Sequence, residues 1–146
     1  MRTLALAALL FTAATGAAVT AQAAPDNYWP ADAKAYIISP KSGAKVKSPV
    51  TIVFGLKGLG VAPAGVKFAN TGHFHLLVDQ AVPTDLSVPL PSTDTILHYG
   101  KGQTEVTLDA TKLAPGKHTL QLIMGDETHI PHDPALVSKK ITITVE

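Results

Sequence analysis

Short apolar segments, most of them closed by glycine or proline, constrain this chain more than any other feature, because they leave strands and turns as its building material. Val50, Ile52, Phe54 and Leu56 alternate along residues 49–56, which puts all four on one face of a strand. Similar segments are predicted at 35–39, 73–79, 95–99, 104–108, 118–124 and 138–145. Turn chemistry separates them, as at Lys41-Ser42-Gly43 and Ala114-Pro115-Gly116. No convincing amphipathic helix follows the N-terminal run. Seven or so short strands at this spacing predict an all-β, immunoglobulin-like two-sheet sandwich, with a small open barrel as the alternative. No internal repeat, low-complexity tract or second domain is seen.

The first residues read differently. Met1-Arg2-Thr3 gives a short positive start, Leu4 to Ala18 is apolar, and Ala21-Gln22-Ala23 is a small-x-small cleavage site. That order predicts a signal peptide at 1–23 and a mature sandwich domain at 24–146, periplasmic or secreted. The apolar run is too short for a bilayer span, so no membrane span is expected after cleavage.

Composition then closes off several functions. Arg2 is the only arginine, so the expected mature chain balances 11 lysines against 11 Asp and Glu. Without a basic stripe or an arginine fork, no nucleic-acid partner is expected. The absence of cysteine excludes disulfides, thiolate ligands and thiol nucleophiles. Met124 is the only methionine besides the initiator, so a methionine-rich copper(I) site is excluded as well. No G-x-S-x-G elbow, phosphate-binding glycine loop or regularly spaced acidic calcium loop is present.

What remains is histidine. His73 and His75 are spaced i, i+2 on a predicted strand and share a face, while Phe74, Leu76 and Val78 point to the core. His129 and His132 flank Ile130-Pro131 in a segment that two prolines and a glycine make a loop. In an immunoglobulin-like sandwich the start of the strand that carries His73 and His75 lies at the same end as this loop. The two pairs therefore predict a metal site of His73, His75, His129 and His132, with His98 as a fifth candidate. Copper(II) or zinc is the expected ion, and Asp126, Glu127 or Asp133 could orient a ligating ring. His118, at the start of a strand after a corner, reads as a corner residue. Tyr28 and Trp29 read as a pin between the leader and the core.

Four motifs in order are similar to the signature of a bacterial family of exported proteins known only as a domain of unknown function. They are Gly72-His73-Phe74-His75-Leu76-Leu77-Val78-Asp79, the run from His98 to Glu105, the run from Pro115 to Leu122, and Gly125-Asp126 with the run from His129 to Pro134. The resemblance covers nearly all of the expected mature chain. It implies an immunoglobulin-like periplasmic protein, makes all six histidines family positions, and implies no activity. A looser similarity is to copper-handling β-sandwiches of the periplasm. The H-x-H strand also resembles copper-zinc superoxide dismutase, from which the expected mature chain departs in lacking a disulfide pair and an arginine to guide an anion.

The leading expectation is a metal carrier, buffer or chaperone without catalytic residues. The alternative is a structural or interaction module with an envelope protein partner and structural histidines. A superoxide-dismutase-like enzyme comes third, for nothing in the sequence marks an open coordination position or an activated nucleophile.

Overall fold

A computed structural model describes residues 28–146; the expected signal peptide at 1–23 lies outside the described residues. Nine strands follow in chain order: β1 (Lys34–Ser39), β2 (Lys45–Val46), β3 (Val50–Lys57), β4 (Gly60–Val61), β5 (Thr71–Val78), β6 (Ile96–Tyr99), β7 (Glu105–Leu108), β8 (Gly116–Gly125) and β9 (Ile141–Val145). They form two sheets. One has the order β1-β3-β7; the other runs β2-β9-β8-β5, with β4 and β6 both pairing along the far edge of β5. No helix occurs among the described residues. This is the immunoglobulin-like sandwich that the strand spacing predicts. The two strands not foreseen, β2 and β4, are two-residue parallel pairings, too short to show as alternation.

The core lies between the sheets. Val50, Ile52 and Phe54 from β3 meet Phe74, Leu76 and Val78 from β5, along with Leu120, Leu122 and Met124 from β8. Phe54 bridges the layers, its ring 5.1 Å from Phe74 and 5.3 Å from Tyr99. It thus packs under β5 and β6 where those two strands are side by side. A free-standing antiparallel sheet would leave its other face to water, but here that face is covered. Leu77, Leu90, Ile96 and Ile123 form a second apolar cluster on the outside of the larger sheet. Strand β5 is consequently buried on both faces from Gly72 to Val78. Leu77 has the same parity as His73 and His75, and an apolar residue at that position is the sequence sign of a covered outer face.

Candidate metal centre

Pairing fixes three of the imidazoles. His73 stands opposite Gly125 of β8, and His75 lies between Ile123 of β8 and His98 of β6. With Phe74 turned to the core, His73, His75 and His98 all project from the outer face. His98, within the segment predicted at 95–99, is a strand residue paired directly across from His75. Two glycines make the room: a Cβ at Gly100 would run into the His98 ring, and one at Gly125 would come within 3.2 Å of His75 Nε2. These two residues belong to the site although they offer no donor atom, and sequence reading did not single them out.

The fourth ring comes from the loop after β8, which is organised by one carboxylate. Asp126 Oδ1 accepts from the backbone N–H groups of Thr128 and Ile130 and from the Thr128 hydroxyl, at 2.7–2.9 Å. The resulting turn holds His129 with φ at 71°, a left-handed conformation that a non-glycine residue keeps only where its surroundings impose it. The His129 carbonyl accepts from Leu90 N–H at 2.9 Å. That bond ties the loop to the apolar cover over the sheet. Trp29 closes the far side, its indole N–H donating to the Pro131 carbonyl at 2.7 Å. The expected pinning role of Trp29 thus extends to the loop that carries His129.

Together these elements bring His73, His75, His98 and His129 into one group, with a donor atom from each within 4.8 Å of all the others. His73 Nε2 lies 2.9 Å from His129 Nδ1 and 3.1 Å from His75 Nε2. An imidazole nitrogen either donates one proton or offers one lone pair, so His73 Nε2 cannot satisfy both neighbours. A cation among the rings would satisfy them together. Three further ring nitrogens, His73 Nδ1, His75 Nδ1 and His98 Nε2, are buried without a hydrogen-bond partner in the protein. Burial, reinforced by the neighbouring rings, lowers the His73 pKa to about 4 and that of His75 to about 3. His98 is lowered by burial and by His129. Near neutral pH these three rings are therefore uncharged, the form that binds metal.

His132 stands apart from this group. Its Nε2 lies 2.8 Å from Asp126 Oδ2, and its ring stacks on Tyr28 at 3.7 Å. It braces the same loop rather than facing the other four rings. Burial works against charge on Asp126, yet bonds from Ile130, Thr128 and His132 hold its carboxyl below the usual range. Glu127 is met by the Tyr28 hydroxyl and Lys67.

The corner reading of His118 is supported by its contacts. Nδ1 faces Asp79 Oδ2 at 2.7 Å and Nε2 faces the Ala114 carbonyl at 2.8 Å. Both partners are acceptors, so the protonated ring, which donates from both nitrogens, suits these contacts better than either neutral tautomer. Burial opposes that charge, but the bonds to Asp79 and Ala114 outweigh it and raise the pKa.

Comparison with known proteins adds a family but no activity. The sequence model of a domain of unknown function, DUF4399, matches residues 52–146, a span that holds all six histidines. No curated protein matches the chain. Among solved structures, an endo-β-1,4-mannanase from Thermotoga petrophila aligns over 79% of this chain and 20% of its own, at 18% identity and a TM-score of 0.44. The chain thus spans about a fifth of that enzyme, and so distant a likeness carries no argument about function.

Proposed function

We infer the function of this chain, which belongs to the DUF4399 family, a domain of unknown function, from its site alone: it binds a transition-metal ion, zinc or copper(II), as a carrier, buffer or chaperone. The observation that carries this reading is the convergence of four imidazole donors from β5, β6 and the loop after β8 within 4.8 Å. Imidazole suits zinc and copper(II) better than the hard ions that prefer carboxylates. His73, His75, His98 and His129 are the proposed ligands, while Asp126 and His132 hold the loop that presents His129. The reading includes export to the periplasm or beyond, where the expected signal peptide would send the chain. Calorimetric titration with each ion is expected to give one equivalent of submicromolar binding, lost in the His73→Ala/His75→Ala variant. Micromolar or weaker binding that the variant leaves unchanged would end the reading.

The rival, in which the histidines serve only to hold the fold, makes the opposite prediction at His75. That side chain is 1% exposed and carries one of the orphaned nitrogens. An unsatisfied buried polar atom costs about 1–3 kcal/mol, and leucine fills a similar volume. His75→Leu is therefore expected to leave the metal-free protein as stable or up to about 1 kcal/mol more stable while removing metal binding. Urea unfolding with a chelator present measures this. A loss above about 2 kcal/mol would identify His75 as a structural residue.

A further inference from the structure

We propose that the four-imidazole site is shaped for a tetrahedral ion, zinc, and that copper(II) enters it only as a distorted complex. This rests on the reading of the cluster as a metal site and adds the geometry that selects the metal. Around the ring His73, His75, His98, His129 the successive ring centres are 4.9, 5.0, 4.8 and 4.9 Å apart. Four groups at the corners of a flat square with such edges would have diagonals of about 7 Å, the pattern of a square-planar ion. The two diagonals are instead 5.0 Å for His73–His98 and 5.8 Å for His75–His129. Six nearly equal separations describe a tetrahedron, opened slightly along one edge.

The scale also fits. With metal–nitrogen bonds of about 2.0–2.1 Å, four imidazoles placed tetrahedrally about one ion have ring centres about 5 Å apart. The ring centres already stand at that spacing, and the donor nitrogens, spread over up to 4.8 Å, would draw in on an ion by small ring rotations. Three rings stand on neighbouring positions of paired strands, and Asp126 fixes the turn that presents the fourth. Flexible nitrogen sites favour copper(II) over zinc. A site that withholds the square-planar arrangement takes away part of that advantage, whereas zinc has no such preference to lose. Four protein donors also fill every position of a tetrahedral ion, leaving none for a reacting water, which agrees with carriage rather than catalysis.

Cobalt(II), a coloured stand-in for zinc, tests the geometry on the intact protein. The expected result is one equivalent of cobalt with the strong visible absorption of a tetrahedral centre, discharged by one equivalent of zinc. Copper(II) bound at the same site is expected to give an electron paramagnetic resonance spectrum with a parallel hyperfine splitting well below that of four nitrogens in a plane. Pale six-coordinate cobalt, or a square-planar four-nitrogen copper spectrum, would overturn the tetrahedral assignment while leaving metal binding in place, provided both still depend on His73 and His75. If zinc, cobalt and copper all fail to bind, the metal reading and this proposal fall together.

Discussion

Zinc added to the metal-free protein is expected to raise its melting temperature by about 10 °C or more, and to leave the His73→Ala/His75→Ala variant unmoved. A ligand that binds only the folded state at a thousand times its dissociation constant contributes about 4 kcal/mol. For a folded unit of this size each kcal/mol shifts the midpoint by about 3–5 °C. The effect should be large because the donors come from two strands and a loop that only folding brings together. An unfolded chain offers no comparable site. Scanning calorimetry at several zinc concentrations measures the shift, which should grow with the logarithm of free zinc. Equal shifts in both proteins, or none in either, would refute the assignment of the site.

The second large effect is an acid weakness of the metal-free protein. In the unfolded chain His73 and His75 take up protons near their ordinary value of about 6.5. Folded, burial among the other rings delays this to about 4 and about 3. Between these limits the unfolded state binds protons that the folded state refuses, so stability falls as the pH falls. At one pKa unit per 1.4 kcal/mol, each ring costs up to about 2–3 kcal/mol at pH 4.5. His98, lowered by burial and by His129, adds to the same decline, while the shifted carboxylates and His118 act elsewhere. Asp79 and Asp126 lie below their ordinary carboxylate range and lose their contributions only nearer pH 4 and below. His118, raised, gives its full contribution below 6.5 and loses it as the pH climbs through its folded value. Urea midpoints with a chelator at pH 7, 6, 5 and 4.5 should therefore decline steeply. The His73→Ala/His75→Ala variant should lose most of that slope; an unchanged slope would place the acid weakness elsewhere.

Much of this architecture is legible in the residues. Alternation along 49–56 and 73–79 predicts β3 and β5 with the correct inward faces, because one buried face leaves a period of two. The pair His73 and His75 is legible for the same reason. His98 is harder to read, since its role depends on β6 pairing beside β5 so that it faces His75 across the ladder, and pairing is a long-range fact. His129 and His132 illustrate the limit of spacing inside a loop. Which of two histidines around a proline turns toward the sheet is decided by the bonds Asp126 makes and by the stacking of Tyr28. Only the first of the two joins the other three rings. Gly100 and Gly125 matter for the side chains they lack, and a missing side chain gives no chemical signal before the neighbouring rings are placed.

The covered outer face of β5 would link the proposed metal binding to correct folding. A one-residue slip of that strand would turn His73 and His75 toward the Phe54 layer and push Phe74 and Leu76 out beneath the loops. A form slipped by one residue can keep neither its interior nor its donors intact. Zinc stoichiometry measured after refolding would thus count the correctly paired molecules in a preparation, one ion for each native chain.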